Sequence, residues 1–459
     1  MEPGEPPKRA EGRRGTAHST RGQSHGDVHL YASPHAYQHL SALLLKRKRH
    51  LLARERPQSS GAGSHFAKDG FSLPFTGCHT TFREPCLHEI RSSDKLDGTL
   101  QINGLVGILG RTSARGYRAA LCTELGQPLQ LRDVPSPPLR PHQHFCCCLN
   151  GKIYVCLLLF LQVRVGVHYC GLNFADILAC QGLYQEKHAL PFTPGMEFSG
   201  TVLETGENVR TVKEGCQVVG VTGTAAMAEE CVADQKMLWR VPEGVSHEDA
   251  AVMPITYGTA TVVLQHRARV QLGETVLVTA GAGATGLALI DLAVNVFKAK
   301  VIAAAGSDAK CELALKRGAS HSVNYSRSNL RDEVKRLTDG RGANVAIEAV
   351  GGDIFKAALQ SLAWEGRIVV MGFAGGKIPS IPANLLLLKN VSAMGVYWTR
   401  YQEEDFPVFS STMSSALQYC QEGKIHPHIG AVFKLEEVNE AFNHVLQRKS
   451  TGKVIISMK

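Results

Sequence analysis

The stretch Val278-Thr-Ala-Gly281-Ala-Gly283-Ala-Thr-Gly286-Leu-Ala-Leu289 contains three glycines with the spacing GxGxxG. It ends the strand-like segment 274–280 and opens the helix-like segment 284–297. In this context Gly281 allows a tight turn, Gly283 lets the backbone approach a pyrophosphate, and Gly286 lets the helix pack on the sheet. The N–H groups at the helix start attract phosphate oxygens. The stretch predicts a dinucleotide-binding loop, although the same spacing also occurs in plain turns.

Strand-like and helix-like segments alternate around this loop from residue 272 to residue 372, which is typical of a parallel sheet covered by helices. The pattern predicts an α/β fold with a Rossmann-type doubly wound sheet. The predicted strands are 274–280, 300–305, 320–324, 344–350 and 367–373, and the predicted helices are 284–297, 307–318, 330–337 and 353–364. Upstream, the sequence predicts strands at 118–122 and 163–167 and a rigid connector at 133–138.

The tip of the second predicted strand, Ala303-Ala-Ala-Gly306-Ser307, has no acidic residue to hold the ribose hydroxyl groups of NAD. A 2′-phosphate has room there, and Ser307, Lys310 and Arg317 supply hydrogen-bond donors and positive charge. Asp308 is a discordant neighbour, but as a helix-capping residue it would turn its carboxylate to the backbone. The tip therefore favours NADP(H), with Lys310 and Arg317 as plain solvated helix residues in the alternative interpretation.

The formal net charge of +9 lies mostly in residues 1–115, which carry 17 Lys and Arg against 10 Asp and Glu. Residues 116–459 carry 33 against 31 and are nearly neutral. Domains that bind nucleic acid concentrate positive charge on folded elements, so we expect no nucleic-acid partner. The longest unbroken apolar run, Ile153–Leu161, has nine residues, well short of the roughly 20 that span a membrane.

Residues 1–115 have no sustained helical or alternating period, and we predict a basic, disordered N-terminal extension. Residues 105–115 carry Arg and Ser without an acid, as the tail of a mitochondrial transit segment does. Ten acidic residues earlier in the extension argue against one continuous transit segment. We expect a mitochondrial location, with the cytoplasm as the alternative.

Residues 144–162 interrupt the connector and the strand that should follow it, and they include Cys146, Cys147 and Cys148. Adjacent side chains do not easily converge on one tetrahedral ion, so we predict a poorly fitting insertion here and no metal site. The 13 cysteines of the chain contain no CxxC pair near a second CxxC, which favours free thiols over a disulfide framework.

Four further stretches stand in order along the chain: Cys170-Gly-Leu-Asn173-Phe-Ala-Asp176-Ile, Pro194-Gly-Met196-Glu197-Phe-Ser-Gly200, Tyr257-Gly-Thr259-Ala260 and Ser450-Thr-Gly452-Lys453-Val. With these and the glycine loop, residues 116–459 outside 144–162 resemble the zinc-independent quinone oxidoreductases of the medium-chain dehydrogenase/reductase superfamily. The resemblance implies a GroES-like β-barrel catalytic domain at 116–250 and 391–459. A Rossmann NADP-binding domain at 251–390 is inserted in it. The active site would lie in the cleft between them, and family members are commonly homodimers.

The resemblance also implies that no metal is bound. Zinc alcohol dehydrogenases carry a ligand Cys at the position of Asn173 and a ligand His at that of Met196. An amide and a neutral thioether are poor ligands for Zn²⁺. Residues 221–230, where the structural zinc lobe would stand, contain no Cys. Cys170 and Cys180 are then interpreted as core thiols.

Family positions imply several cofactor contacts. Thr259 would reach the nicotinamide ribose or the phosphates, and Tyr325 would lie beside the adenosine. Ala284, Thr285 and Gly286 would face the pyrophosphate. Val350 and Phe373 end strands at the carboxyl edge of the sheet, where such folds bind ligands, although both also fit ordinary strand-end turns.

Without a metal, an acceptor must be polarised by hydrogen bonds. We expect Asn173 to orient the substrate or the nicotinamide ribose, while Asp176 holds the loop that presents Asn173. Tyr184 stands where related enoyl thioester reductases carry a catalytic tyrosine, and it would donate a proton or hydrogen bond. Its alternative role is packing at a loop.

These residues predict an NADPH-dependent, zinc-independent oxidoreductase acting on a small molecule, either a quinone or an α,β-unsaturated carbonyl compound. One alternative is a 2-enoyl thioester reductase, which Tyr184 permits. The other is a non-catalytic NADPH-binding protein, because an intact glycine loop serves either role.

Overall fold

Two large sheets and one small hairpin form the part of the chain that the computed structural model describes, residues 116–136, 139 and 161–459. The predicted extension at 1–115 and residues 144–160 of the predicted insertion lie outside these ranges. Among the described residues, no helix is both long and apolar enough to cross a membrane.

The first part of the described chain is mainly β-structure. Its strands are β1 (Gly116–Leu121), β2 (Gln130–Pro135), β3 (Gln162–Leu172), β4 (Glu197–Thr205), β5 (Gln217–Val221), β6 (Glu230–Asp234) and β7 (Leu238–Arg240); its helices are α1 (Phe174–Cys180) and α2 (His247–Ala251). The connector predicted at 133–138 was wrong in its first half, because residues 133–135 pair with β1 as the end of β2. Pro135 is tolerated because β2 is an edge strand.

A continuous helical segment leads into the second sheet. It has π-helical turns at Met253–Gly258 and Val262–Arg267 on either side of α3 (Thr259–Thr261). The alternating part follows as β8 (Thr275–Val278), α4 (Ala284–Asn295), β9 (Lys300–Ala305), α5 (Asp308–Lys316), β10 (His321–Asn324), α6 (Leu330–Leu337), β11 (Ala343–Glu348), α7 (Gly352–Gln360), β12 (Leu362–Val370), α8 (Ala383–Lys389) and β13 (Ser392–Gly395). These six strands form one parallel sheet in the order β10-β9-β8-β11-β12-β13.

The end of the chain returns to the first sheet. After α9 (Tyr401–Glu404) and α10 (Phe406–Gln421) come β14 (Ile429–Lys434), α11 (Val438–Leu446) and β15 (Lys453–Ser457). β15 pairs antiparallel with β3, which gives a seven-stranded sheet in the order β14-β15-β3-β4-β5-β7 with β6 on β3. We call this sheet with the β1–β2 hairpin the barrel lobe, and the parallel sheet with its helices the nucleotide lobe. The predicted fold class, an inserted doubly wound sheet in a β-rich domain, is confirmed.

Element ends differ from the prediction where tertiary pairing competes with helix propensity. The helix predicted at 353–364 ends at Gln360, because Leu362 is fully buried and pairs with Ala343 as the first residue of β12. β12 therefore includes Trp364, which is 64% exposed.

The predicted domain boundaries stay a prediction, and two features bear on them. The parallel sheet runs to Gly395, past the boundary predicted at 390. Phe409 and Met413 of α10 are fully buried in the same core as Val276 and Leu287 of the nucleotide lobe. Burying a side chain of this size contributes about 1.5–3 kcal/mol, so α10 is anchored in a core that also includes Val219 and Val221 of the barrel lobe.

Candidate active site

The glycine loop connects β8 to α4 at the carboxyl edge of the parallel sheet. The Gly281 N–H donates to the carbonyl of Ala304 on β9 at 2.9 Å, and the Gly283 N–H donates to that of Ala280 at 2.9 Å. A Cβ on Gly286 would lie 2.3 Å from the Ala280 carbonyl oxygen. Only glycine therefore lets α4 start this close to the loop, with its N-terminal N–H groups at the carboxyl edge.

A cavity of about 700 Å³ opens at this edge between the two lobes. Five of the predicted cofactor residues line it: Gly283, Ser307, Lys310, Tyr325 and Val350. The barrel lobe contributes Phe174, Arg448 and Ser450. A smaller cavity of about 490 Å³ lies near Glu274 and Arg367, away from the glycine loop.

The remaining predicted cofactor residues do not line this cavity. Gly281 and Gly286 are buried behind the loop, while Ala284 and Thr285 are half-buried in the first turn of α4. Thr259 is half-buried in α3, which packs against α4. Phe373 is 39% exposed, and it lies beside Gly351 at the end of β11.

The tip of β9 is arranged differently from the prediction in two respects. Ser307, not Asp308, caps α5, and its hydroxyl accepts from the Lys310 backbone N–H at 3.4 Å. The Asp308 carboxylate instead accepts from Asn324 at 2.6 Å and pairs with Arg327. Arg317 donates to the His426 carbonyl and does not line the cavity. Asp308 and Arg317 differ from the prediction because each has a tertiary partner: Asn324 and Arg327 for Asp308, and the His426 carbonyl for Arg317.

Arg448 is a cavity residue that the sequence interpretation missed. It stands just after α11 with a left-handed φ of +58°. Its carbonyl accepts from the Lys310 ammonium at 2.9 Å. Burial, and then the nearby Arg448, lower the pKa of Lys310 from its ordinary value. Lys310 and Arg448 thus bring two cationic side chains from different lobes to one end of the cavity.

The last strand of the barrel lobe is attached to the glycine loop. The Gly452 N–H donates to the Ala282 carbonyl at 2.9 Å, and Gly283 and Gly452 form an isolated parallel bridge. Lys453 follows directly and is only 2% exposed. Its ammonium donates to Glu197 Oε1 at 2.5 Å and to Asn173 Oδ1 at 2.7 Å.

Asn173 makes several hydrogen bonds within this cluster. Its Nδ2 donates to Glu197 Oε1 at 2.8 Å and to the Gly171 carbonyl at 3.3 Å, so both amide hydrogens have partners within the protein. Glu197 is fully buried and also accepts from the Ile255 N–H at 2.8 Å. In this arrangement both amide donors of Asn173 are used within the protein, and its role in orienting the substrate or the nicotinamide ribose stays a prediction. Asn173 links Lys453 and Glu197.

Asp176 fixes the turn that carries Asn173. Its carboxylate accepts from the backbone N–H of Asn173 at 2.8 Å and from that of Gly195 at 3.0 Å. Burial raises the pKa of Asp176 to about 7, and the two backbone hydrogen bonds partly offset that effect. Asp176 therefore holds the turn that carries Asn173, as we expected, and it also joins α1 to the turn before β4.

Tyr184 lies at the junction of the two lobes. It is 8% exposed, and its hydroxyl oxygen is 3.2 Å from that of Tyr397 in the nucleotide lobe. Tyr397 in turn donates to Glu186 Oε1 at 2.5 Å. Tyr184 does not line the 700 Å³ cavity, so its reach to a substrate stays a prediction.

Comparison with known proteins gives a consistent result for this geometry. Residues 161–243 match the alcohol dehydrogenase GroES-like domain, and residues 284–415 match the zinc-binding dehydrogenase family. The quinone oxidoreductase-like protein 2 of Mus musculus is 64% identical over 345 residues, which is 75% of this chain and 93% of that protein. This chain belongs to the quinone oxidoreductase-like group of the medium-chain dehydrogenase/reductase superfamily. It is an oxidoreductase of that superfamily with a site for a nicotinamide cofactor.

Two further relatives of this quinone oxidoreductase-like group extend the comparison. A quinone oxidoreductase-like protein 2 homolog of Nematostella vectensis is 49% identical, over 76% of this chain and 91% of that protein. The solved quinone oxidoreductase of Thermus thermophilus, described with its NADPH complex, is 29% identical with a TM-score of 0.62. That match covers 74% of this chain and all of the other.

The name of the zinc-binding dehydrogenase family raises the question of a metal in this quinone oxidoreductase-like chain. Around Asn173 and Met196 the donors are an amide and a thioether, and the Lys453 ammonium is already hydrogen-bonded to Glu197 and Asn173. A positive charge at this point opposes a divalent cation. Within the described ranges, no three His, Cys, Asp or Glu side chains cluster as a metal site. Zinc does not fit this set of residues.

Two cysteines near the same cluster are core thiols by position. Cys170 is fully buried and Cys180 is 5% exposed. Burial is the main cause that raises the pKa of both thiols above the ordinary value. Neither side chain is therefore suited to act as a nucleophile.

Three residues central to the site escaped the sequence interpretation: Lys453, Arg448 and Tyr397. Lys453 was noted only as part of the C-terminal motif, and the residues next to it in the sequence do not indicate that it is buried. Arg448 precedes that motif by two positions but carries no spacing signal. Tyr397 lies 213 residues from its partner Tyr184, so only the folded chain brings the two together.

Proposed function

We propose that this protein is a zinc-independent, NADPH-dependent reductase of quinones and α,β-unsaturated carbonyl compounds. The observation that carries the proposal is the cavity between the lobes, which joins the glycine loop to a cationic end formed by Lys310 and Arg448. Two positive side chains and the Ser307 hydroxyl suit a 2′-phosphate, whereas the ribose diol of NAD needs an acidic acceptor. The NADPH complex described for the Thermus thermophilus relative supports this choice.

When bound, NADPH supplies a hydride from its nicotinamide. The residues of this chain would bind and orient it. Gly283 and the N-terminus of α4 would hold the pyrophosphate, and Tyr325 would lie beside the adenosine. Phe174, which is 43% exposed at the start of α1, gives the cavity an apolar wall. Lys453, Glu197 and Asn173 connect β15, β4 and the start of α1 by hydrogen bonds.

The proposed class of acceptor rests on the residues around Asn173, which do not suit a metal ion. Zinc does not fit the residues around Asn173, so an acceptor would be polarised by hydrogen bonds alone. Quinones and enones are electron-poor and accept hydride without strong acid assistance. Tyr184 is the candidate donor of the accompanying proton, because its hydroxyl lies at the lobe junction close to Tyr397.

The test is NADPH oxidation by the purified protein with 9,10-phenanthrenequinone, an enone and a crotonyl thioester in parallel. We expect turnover of the quinone and the enone, and a lower kcat in Tyr184→Phe. Efficient turnover of the thioester alone would favour the 2-enoyl thioester reductase. NADPH binding without turnover of any acceptor would favour a non-catalytic NADPH-binding protein.

Lys310→Ala is expected to weaken NADPH binding by about tenfold, or about 1.4 kcal/mol, with little change for NADH. The reason is that Lys310 lines the cationic end of the cavity and would contact only the extra phosphate. Fluorescence titration with both cofactors measures the ratio. Lys316→Ala is the matched control, because Lys316 is exposed on the same helix and does not line the cavity. Equal affinity of the wild-type protein for NADH and NADPH would refute the argument.

We also propose that the protein is a homodimer. β13 is the edge strand of the parallel sheet, and unpaired edge strands are ready templates for pairing with another chain. In the segment between β12 and β13, Ile378, Leu387 and Leu388 are 78%, 76% and 68% exposed. Sedimentation velocity is expected to give twice the mass of one chain. A monomer at micromolar protein concentration would contradict the proposed dimer.

A mitochondrial location is a separate proposal that rests on the composition of residues 105–115. The full chain with a C-terminal fluorescent tag is expected to colocalise with mitochondria. A diffuse cytoplasmic signal would contradict it.

A further inference from the structure

Tyr397 and Glu186 form a polar path from the Tyr184 hydroxyl to water. Tyr184 is 8% exposed and Tyr397 is 37% exposed, while Glu186 is exposed. The two hydroxyl oxygens are 3.2 Å apart, and the Tyr397 hydroxyl donates to Glu186 Oε1 at 2.5 Å. Each step is within hydrogen-bond distance, so the path is continuous.

The path exists only because the two lobes meet. Tyr184 and Glu186 follow α1 in the barrel lobe, whereas Tyr397 follows β13 in the nucleotide lobe by two residues. The segment after β13 therefore places the Tyr397 hydroxyl between the buried phenol of Tyr184 and the exposed carboxylate of Glu186.

The proposed reaction creates a need for such a path. Reduction of a quinone or an enone adds one hydride and one proton to the acceptor, and NADPH supplies only the hydride. A phenol that gives up its proton must be reprotonated before the next turnover. Burial, and then the hydrogen bond with Tyr397, raise the pKa of Tyr184 above its ordinary value. A lasting phenolate at Tyr184 is therefore unfavourable, and its proton must be replaced promptly.

We propose that Tyr397 and Glu186 return to Tyr184 the proton that it gives to the acceptor, an inference that rests on the proposed function. The Tyr184 O–H bond breaks as a new bond to hydrogen forms on the acceptor. Glu186, a carboxylate at rest, takes a proton from the solvent. The Tyr184 oxygen then takes the Tyr397 hydrogen, Tyr397 takes the hydrogen of the protonated Glu186, and Glu186 is again a carboxylate. The acceptor gains a hydride and a proton, and the protein regains its original protonation.

In the structure, the hydrogen bond between Tyr397 and Glu186 runs opposite to the proposed proton transfer, so its direction must reverse during the reaction. Tyr397 donates to Glu186, so the carboxylate is the acceptor in that state. Once Glu186 holds a proton it becomes a donor, and the Tyr397 hydroxyl turns towards Tyr184. A carboxyl group and two phenols, each able both to donate and to accept, allow this reversal without movement of the backbone.

Tyr397→Phe is expected to lower kcat with a quinone acceptor by about tenfold or more. The upper limit of this loss is the about 10²–10⁴-fold that general acid catalysis contributes. The KM for the acceptor and the Kd for NADPH should stay within about twofold, because the phenyl ring keeps its packing. The solvent deuterium isotope effect on kcat should change, which a purely structural role would not produce. Tyr401→Phe is the control, since Tyr401 packs on His266 and stands outside the path.

Glu186→Gln is the second variant, because an amide keeps a hydrogen bond to Tyr397 but does not carry a proton. It should reproduce the loss of kcat and the changed isotope effect, whereas Glu243→Gln on the exposed surface should not. In a Tyr184→Phe background, Tyr397→Phe should cause no further loss, since both act on the same proton.

The outcomes separate the relay from the proposed function. If the wild-type protein turns over and Tyr184→Phe is slow, but Tyr397→Phe and Glu186→Gln keep the wild-type kcat and isotope effect, the relay is wrong and the function stands. A raised Kd for NADPH with unchanged kcat would reduce Tyr397 to a bridge between lobes and also overturn the relay. If no acceptor is reduced while NADPH binds, both proposals fail.

Discussion

Replacing Lys453 by methionine is expected to lower the free energy of unfolding by about 3–5 kcal/mol, the cost of removing one partner of a buried ion pair. Glu197 would then hold an unpaired charge, because its carboxylate is 0% accessible to solvent and Lys453 donates to it at 2.5 Å. Asn173 and the Ile255 N–H would remain as hydrogen-bond donors to Glu197. They do not neutralise its charge. Urea unfolding followed by circular dichroism measures the change.

The double variant Glu197→Gln/Lys453→Met distinguishes charge from packing. It removes both charges, so it should recover much of the stability that Lys453→Met loses. Lys459→Met provides the surface control, because Lys459 is exposed at the end of the same segment. Equal losses in the single and double variants would show that the cost lies in packing and not in an unpaired carboxylate.

Gly286→Ala is expected to weaken NADPH binding by about tenfold or more, or at least about 1.4 kcal/mol. The new methyl group would lie 2.3 Å from the Ala280 carbonyl oxygen and 3.0 Å from the Gly281 carbonyl carbon. Both are backbone atoms, so the loop and α4 must separate, and the phosphate-binding N–H groups move with them. Overpacking of this kind also costs about 1–3 kcal/mol of stability.

Titration of NADPH fluorescence and thermal unfolding measure the two effects of Gly286→Ala. Gly223→Ala is the matched control, because a Cβ there meets nothing within 4 Å and its φ is ordinary. Wild-type NADPH affinity in Gly286→Ala would show that the loop does not bind the pyrophosphate as we infer.

Local patterns predicted most elements of the nucleotide lobe, but not α8 and β13. The alternation of strand-like and helix-like segments predicted α6 at its observed bounds, Leu330–Leu337. It also placed the glycine loop between β8 and α4. These elements depend on residues close in sequence, so the hydrophobic periodicity of the sequence is enough to predict them. The end of α7 was misplaced because the pairing of Leu362 with Ala343 is a contact between strands.

The candidate site was only partly predictable for the same reason. Gly283, Ser307, Lys310, Tyr325 and Val350 follow strands of one parallel sheet, so topology alone gathers them at its carboxyl edge. Asn173 was predicted to orient the substrate or the nicotinamide ribose, but its hydrogen bond with Lys453, which lies 280 residues later, was not predicted. No spacing rule reaches that far along a chain.

The sequence by itself determined the order of the elements, the dinucleotide loop and the residues that parallel strands must present together. Tertiary structure alone decided which distant polar groups meet: Lys453 with Glu197 inside the barrel lobe, and Lys310 with Arg448 and Tyr184 with Tyr397 across the lobes. The physical reason is that periodicity encodes which face of an element is buried, whereas the partner of a buried polar group depends on how distant elements pack.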